Sequence, residues 1–415
     1  MMVEALPRAL SAALILAISA CEQPFTPRAG IATQDDPTTD AFVAVSAGRE
    51  HTCALTADGS AYCWGSNEFA QLGATSDSAP CFREDRPIAC RRSPVAVTGA
   101  LKFQRIRAGG SHTCAIALDF RVHCWGDNLF GELGDPAVRN SAVPIAVSSG
   151  DTFIDLAVGG AHTCGLRTDG VVLCWGANAH GQLGIGTVGN GSAIPTPIQL
   201  PQRFSTVAAG ENRTCGRILD GTAFCWGATW VGRQDDTEVF RPQSQASRIQ
   251  GRAFQTVAVG TNTTCGVAVD NHGFCWEANP TGAFGDGTTT GSSTPQPVGG
   301  SLDLVSISVG ALQTCAIAAT GLAYCWGAND LGQLGVPPAL IGTRCGRVLV
   351  TCSKLPMRVS GWRLFSQITA GQGDHVCGLT IGGSVYCWGA GSLGQRGDGR
   401  TSSEWSPTRV RSPLD

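Results

Sequence analysis

Cysteine and histidine are the side chains here best suited to chemistry, as disulfide partners, metal ligands or nucleophiles, and both recur on a fixed pattern. Fourteen of the nineteen cysteines form pairs ten positions apart. The pairs are Cys53 with Cys63, Cys114 with Cys124, Cys164 with Cys174, Cys215 with Cys225, Cys265 with Cys275, Cys315 with Cys325 and Cys377 with Cys387. A tryptophan follows each second cysteine: Trp64, Trp125, Trp175, Trp226, Trp276, Trp326 and Trp388. Four of the seven histidines, His51, His112, His162 and His375, stand two residues before the first cysteine. Arg213, Thr263 and Gln313 hold that position in the remaining three copies.

Zinc sites use cysteines two to four residues apart and gather four ligands, and a ten-residue spacing offers neither. A hairpin explains it better. In residues 51–65, HTCALTADGSAYCWG, the turn Ala57-Asp58-Gly59 suits a three-residue loop with glycine in the left-handed position. Residues then face each other when their numbers sum to 116, which sets Cys53 opposite Cys63 at a non-hydrogen-bonded site. Cα atoms there approach to about 4.5 Å, inside the disulfide range. Cross-strand disulfides are expected in all seven copies, with free buried thiols and metal ligands as the competing readings. Each small loop would contribute roughly 2–3 kcal/mol. The following tryptophan points to the other sheet face and is expected to fill the space between units.

The four histidines would form an arc, because copies one, two, three and seven are contiguous on a ring. A metal site is conceivable, but imidazoles on separate units are too far apart to share one ion at about 2 Å. A hydrogen-bonding role at the strand end is the plainer reading. No Ser/His/Asp order, paired carboxylates or Walker-type loop stands out, and GDG at 285–287 and 397–399 lacks the acidic loop that calcium requires. The expectation is no catalytic residue, no metal and no cofactor.

The cysteines must be held by strands. Before each pair runs a β-branched segment closed by glycine, from FVAVSAG (42–48) to FSQITAG (365–371). After each pair comes a long connection, often Asn-x-x-Gly-Gln-Leu-Gly, as at 178–184 and 329–335. A Pro-x-x-Val-like strand follows: PVAV (94–97), PIAV (144–147), PIQL (197–200), a degenerate PQSQ (242–245), PQPV (295–298), PMRV (356–359) and PTRV (407–410). Four short strands in seven units predict an all-β, seven-bladed β-propeller with four-stranded blades. Short linkers from each Pro-x-x-Val strand to the next Phe strand suggest a hairpin within one sheet. On that reading the long connections cross between blades, and 407–410 completes the first blade and closes the ring.

With 55 glycines, 15% charged residues and a net charge of -3, the chain is turn-rich and has no Lys/Arg cluster for phosphates, which argues against nucleic acid as a partner. Its cysteine content suggests an oxidising compartment. Residues 9–20, ALSAALILAISA, form an apolar run too short for a stable membrane span, and Ile18-Ser19-Ala20-Cys21 resembles the lipobox of bacterial lipoproteins. That resemblance implies a signal peptide at 1–20, lipidation of Cys21 and a cell-envelope location. A plain secretory signal with an incidental Cys21 is the alternative. Residues 21–40 read as a disordered tether after the lipidated cysteine, and 41–415 as the propeller.

Two insertions break the repeat. Residues 74–93 carry Cys81 and Cys90 with Arg83, Glu84, Arg86 and Arg91, and 336–355 carry Cys345 and Cys352 with Arg344 and Arg347. Each pair is expected to close a disulfide and staple a basic-tinged loop on one face, where binding concentrates; surface decoration without a ligand is the alternative. In copy four, residues 228–241 lose the Gly-Gln-Leu-Gly run and leave Trp230 beside acids. That reads either as a contact point or as simple degeneration of one blade.

The motifs GREHTCAL (48–55), GGSHTCAI (109–116) and WGANAHGQLG (175–184) resemble the regulator of chromosome condensation repeat family over residues 41–415. The resemblance implies a seven-bladed propeller used as a binding platform. The family's guanine-nucleotide exchange activity is a further alternative by resemblance only; it relies on a basic tail and a wedge-like insertion, and this chain has no basic tail. The expected function is a non-catalytic scaffold that binds an unidentified protein at the envelope through loops on one face, with membrane contact through the lipid anchor only. A glycan-binding module is the alternative and would need exposed aromatics, for which Trp230, Trp362 and Trp405 are candidates.

Overall fold

The computed structural model describes residues 42–235, 237–346 and 350–413. The expected signal peptide, Cys21, the tether and Arg347 lie outside the described residues. In the first unit, strands Phe42–Ala47, His51–Thr56, Ala61–Ser66 and Cys90–Ala96 form one antiparallel sheet in that order. The same order recurs in six further sheets, the sixth extended by the short strand Arg344–Cys345. Each Phe-type strand packs against its counterparts in the adjacent sheets, and Phe42–Ala47 meets both Phe103–Ala108 and Phe365–Ala370. These strands therefore ring the axis, and the Pro-x-x-Val strands form the rim. The architecture is the all-β, seven-bladed propeller with four-stranded blades expected from the repeat.

The blade boundary and the closure differ from expectation. The strand Glu404–Arg409 pairs with Val385–Gly389 inside the seventh blade, so no C-terminal strand completes the first. The short linkers make the crossings. Three strand spacings separate rim from axis, about 14 Å, and a linker such as 97–102 reaches roughly 20 Å when extended. The long connections return to their own sheet. The rim register also moves two of the assigned motifs. Cys174 faces Thr196 and Cys225 faces Ser247, as Cys63 faces Val95, so the true equivalents are residues 195–198 and 246–249 rather than 197–200 and 242–245.

Closure instead repeats two locks found around the ring. The two ends of the blades can be distinguished by what they carry: a turn edge, with the Asp-Gly turns and short linkers, and a connection edge, from which the long connections leave. At the turn edge, the amide of each leading Phe or Leu donates to the turn carbonyl of the preceding blade. Phe103 donates to Gly59 at 2.8 Å and Phe365 to Gly321 at 2.8 Å, and Phe42 joins the first blade to the seventh by donating to Gly383 at 2.9 Å.

The second lock explains the long connection. Its Gly-Gln-Leu-Gly run enters the neighbouring blade, where in four cases the Gln or Glu carbonyl accepts from the buried tryptophan. Trp175 donates to Glu132 O at 2.9 Å, Trp226 to Gln182 O at 2.9 Å, and Trp388 to Gln333 O at 3.0 Å. Trp64 donates to Gln395 O at 2.9 Å across the closing seam. A donor-only indole needs such a partner when buried. The seven repeat tryptophans are fully buried. Core clusters bridge adjacent blades, as where Phe42, Val45 and Trp64 pack with Leu379, Cys387 and Val410.

All seven cross-strand disulfides form, with Cα separations of 4.0–4.1 Å. Cys53 faces Cys63 in the expected register, and the register repeats where Cys114 faces Cys124, Cys164 faces Cys174 and Cys215 faces Cys225. It holds equally where Cys265 faces Cys275, Cys315 faces Cys325 and Cys377 faces Cys387. The competing readings, free thiols and metal ligands, are thereby set aside for these fourteen residues. Gly59 takes the left-handed conformation at φ 81°. Both insertions carry their own bridge, Cys81 to Cys90 and Cys345 to Cys352.

Candidate binding surfaces

The histidine arc performs hydrogen bonding between blades. His51 Nε2 lies 2.8 Å from Thr113 Oγ1, His112 2.9 Å from Thr163, His162 2.8 Å from Thr214, and His375 2.8 Å from Thr52. Each threonine hydroxyl gives its proton to a connection carbonyl: Thr113 to Gln71, Thr163 to Glu132, Thr214 to Gln182 and Thr52 to Gln395. The hydroxyl oxygen must then accept, so Nε2 carries the ring proton. Burial pushes these imidazoles down to about 3 at His51, His112 and His162 and about 4 at His375. They are neutral structural donors. No group of three metal-ligating side chains occurs among the described residues.

The arginines of the stapled loop 74–93 are paired with acids of their own repeat. Its strands Cys81–Arg83 and Arg86–Ile88 form a hairpin turned at Glu84 and Asp85, both with positive φ. Arg83 pairs with Glu50 and with Glu68 at 2.9 Å, Arg86 pairs with Glu68, and Arg91 pairs with Asp77 at 2.8 Å. Arg92 donates to Pro80 O at 2.7 Å. The expected basic surface is thus spent on holding the loop. What the loop offers outward is Phe82, 57% exposed, above a small core of Cys81, Ile88, Cys90 and Leu393. Leu393 belongs to the seventh repeat, so the loop is also pinned to the neighbouring connection. The arginines drew attention by their charge, while the apolar tip they orient was the less visible signal.

The second loop lies beside a cleft of about 290 Å³ lined by Leu340, Ile341, Thr343, Cys352, Lys354 and Leu355. Arg344, the first residue of the strand Arg344–Cys345, is exposed, and Lys354 O accepts from Gly287 of the fifth repeat at 2.8 Å. A larger cleft, about 430 Å³, lies between the connections of repeats two and three, lined by Leu129, Phe130, Pro136, Val138 and Ala193. Leu129 and Phe130 are exposed and occupy the variable x-x of the Asn-x-x-Gly run. Apolar residues in a polar turn were the available signal there.

Repeat four is rebuilt rather than merely degenerate. Strands Ala223–Gln234 and Thr237–Arg248 make a hairpin twice the usual length. Trp230 is half-buried: its indole donates to Glu238 at 2.6 Å and its amide to Glu277 at 2.6 Å. It is not a free aromatic contact. The indole N–H of Trp276 and the hydroxyl of Thr264 in the next blade have no partner, and the Trp125 indole likewise has none although its run is present. In place of that lock, Arg213 forms a buried 2.8 Å ion pair with Glu277 across the seam. The Trp362 side chain lies on the opposite edge from Trp230, so the candidate aromatics do not share one face.

At the axis, a cavity of about 290 Å³ is lined by Ala47, Arg107, Val158, Ala209, Val259 and Thr369. Gln372 crosses it from the seventh blade, its amide donating to Val158 O in the third at 3.3 Å. Sequence patterning contained no sign of that bridge.

Residues 91–415 match the model of the RCC1-like domain, and residues 42–71 and 58–116 match the regulator of chromosome condensation (RCC1) repeat. Among curated proteins, the Homo sapiens "Probable E3 ubiquitin-protein ligase HERC4" is 32% identical over 93 residues, 22% of this chain and 8% of that protein. The Arabidopsis thaliana ultraviolet-B receptor UVR8 is 35% identical over 92 residues, 22% of this chain and 18% of that protein. The matched stretch is therefore a small part of these relatives. Among solved structures, human WBSCR16 is similar with a TM-score of 0.69 at 19% identity, covering 85% of this chain and 94% of that one. Prp20p of Saccharomyces cerevisiae, described with its binding to Gsp1p and histones, gives 0.52 at 19% identity, covering 90% and 77%. At such identities the likeness is one of fold.

Proposed function

We propose, for a chain that belongs to the RCC1-like domain family, a non-catalytic scaffold held at the cell envelope by a lipid on Cys21 and binding a protein partner along its connection edge. The observation that carries this reading is the stapled hairpin 81–90. A disulfide, the Arg83 and Arg86 ion pairs and packing on Leu393 hold Phe82 rigidly in solvent. An apolar side chain presented on a preorganised loop loses little entropy when a partner covers it, which favours binding. Leu129 and Phe130, two blades from the seventh, extend the apolar surface along the same edge beside the larger cleft. Proteins of similar fold are described with protein partners, as Prp20p is with Gsp1p and histones, and that agreement in kind supports the reading without naming a partner here.

The test is capture from envelope extract with the wild-type chain and with Phe82→Ala and Phe130→Ala, which leave the staple and the locks intact. Loss of the same partner from both variants is the expected result; retention of every partner by both would overturn the assignment of this edge. The anchor is tested by Cys21→Ala. Release from the membrane fraction is expected, and unchanged fractionation would remove the lipid from the reading.

A further inference from the structure

The turn edge has a different character from the connection edge. Every blade places at least one exposed Val, Leu or Ile on it, from Val43 in the first to Ile381 in the seventh. Leu118 is 61% exposed and Ile381 72%. In one sector the apolar surface thickens: Leu101 and Phe120 flank Leu118, and Trp362 and Leu364 flank Ile381, all exposed. Backbone bonds fix these neighbours, since Ile381 N donates to Leu364 O at 3.1 Å and Leu118 N to Lys102 O at 3.2 Å. The sector comprises blades seven, one and two. Its centre is Phe42, where the chain enters the fold.

From this arrangement we infer that the turn edge around Phe42 is a membrane-seating surface, laid on the lipid bilayer to which the chain is tethered. The inference rests on the anchoring proposed above. Residues 22–41 join Cys21 to Phe42 at this edge, and even fully extended a segment of that length reaches at most ~70 Å. The tether thus joins the propeller on the side proposed to meet the bilayer.

The form of the apolar side chains favours lipid over a protein partner. They stand on turn tips and linkers instead of lining a concave pocket, and binding pockets for compact ligands are concave. The clefts described above are at the connection edge and the axis. Trp362, 69% exposed, is covered on one face by the Arg358 guanidinium 3.7 Å from its ring. Tryptophan is enriched at membrane interfaces, and a long basic side chain beside it can reach the headgroups. Arg121 is exposed beside Phe120, where it would face headgroup phosphates. Phe120 adds an independent sign: it holds a left-handed turn position, φ 67°, which Gly occupies in five blades and Asn271 in the fifth blade. A bulky apolar residue kept in an unfavourable conformation and left in solvent points to a role outside the fold.

Seating and anchoring separate experimentally. Full-length lipidated protein is bound to vesicles of phosphatidylethanolamine and phosphatidylglycerol, and amide exchange is followed at 117–121, 361–364 and 380–383. The connection-edge turns at 49–50 and 160–161 serve as the internal reference. Slowing of roughly threefold or more at the first group alone is expected. The triple variant Leu118→Ser with Trp362→Ser and Ile381→Ser, still cosedimenting through its lipid, is expected to lose that slowing. Wild type that cosediments without selective slowing overturns the seating while the anchor stands. Slowing at the same amides in vesicle-free protein at high concentration assigns the face to a second copy and also overturns it. Failure of the wild type to cosediment overturns the anchor and the seating together.

Discussion

Arg213 and Glu277 pair at 2.8 Å across the seam between the fourth and fifth blades, each side chain less than a tenth exposed. Both residues are departures from the repeat: Arg213 stands where four blades have histidine, and Glu277 where the others have the glycine after tryptophan. Glu277 adopts φ 84°, the conformation that glycine takes at Gly65 and Gly176. The seam has thus exchanged a neutral hydrogen-bonded lock for a buried ion pair. Burial raises the Glu277 carboxyl although Arg213 opposes it, and burial lowers the Arg213 guanidinium although Glu277 opposes that.

Removing one member of such a pair leaves the other charge buried alone, at a cost of about 3–5 kcal/mol. Glu277→Ala is expected to destabilise by that order, seen as a lower denaturation midpoint. The double variant Arg213→His with Glu277→Gly restores the common residues and removes the left-handed strain, so it should be milder than Glu277→Ala. A double variant as unstable as the single one would place the cost in other lost contacts of Glu277, such as the bond from the Trp230 amide, rather than in an unpaired buried charge.

The four buried imidazoles predict loss of stability in acid. Their folded values, about 3 to 4, lie below the unfolded value of 6.5. The unfolded chain therefore takes up protons first as pH falls, and stability is lost progressively from about pH 6.5 down to about pH 3–4. At pH 5 the loss is about 2 kcal/mol for each histidine that remains buried. Gln313 shows a tolerated replacement, donating to Gly373 O at 3.0 Å from the same position in the sixth blade. A variant with glutamine at 51, 112, 162 and 375 should show a visibly flatter decline in melting temperature between pH 7 and pH 5. An unchanged slope would mean that other groups govern acid unfolding.

Much of this was legible in the sequence, and the illegible part has a common cause. Cys53 opposite Cys63 follows from one turn and the period of a strand, so the register could be counted. The tryptophans could be assigned to the core because each follows a cysteine onto the other sheet face. The blade boundary could not be read from loop length, because the 67–73 connection is long for a reason that lies in the next blade: Gln71 O must reach Thr113. Arg213 and Glu277 looked like unrelated irregularities for the same reason, since neither repeat contains its own explanation. Phe82 was hidden beside arginines that proved to be paired with Glu50 and Glu68. Relations within a hairpin were accessible, and relations between blades were not.

Glu132 occupies the place of a glutamine and carries the opposite pH signature from the histidines. Like Gln71, Gln182 and Gln395 it accepts from the amide two residues earlier, here Phe130 at 2.8 Å. Burial pushes its carboxyl up to about 7, against a usual 4.5. The folded chain thus holds a proton that the unfolded chain has released, and stability falls as pH rises from about 4.5 to 7. The penalty above pH 7 is about 3 kcal/mol at most. Glu132→Gln keeps the acceptor and removes the titration, so its stabilisation should be small at pH 4.5 and grow to its full size by pH 8. Equal midpoint shifts at both pH values would contradict this assignment.

Phe120 provides the last test, of conformation against exposure. Its amide donates to Ala117 O at 3.0 Å and its carbonyl accepts from Phe153 at 2.9 Å, so the turn and the lock at the blade edge both hold it at φ 67°. The left-handed region costs a non-glycine residue about 1 kcal/mol or more. The residue, 43% exposed, recovers only part of that through burial. Asn271 fills the equivalent position in the fifth blade with the same left-handed backbone and the same lock, donated by Leu304 at 2.8 Å. Phe120→Asn is accordingly expected to raise stability by about 0.5–1 kcal/mol, because asparagine tolerates this region and little apolar contact is lost. Thermal unfolding of the two chains decides it. A loss of stability would mean that the ring packs more firmly on Leu118 and its neighbours than its exposure indicates. A gain would show that the fold keeps Phe120 at its own expense, as a surface residue selected for contact would be kept.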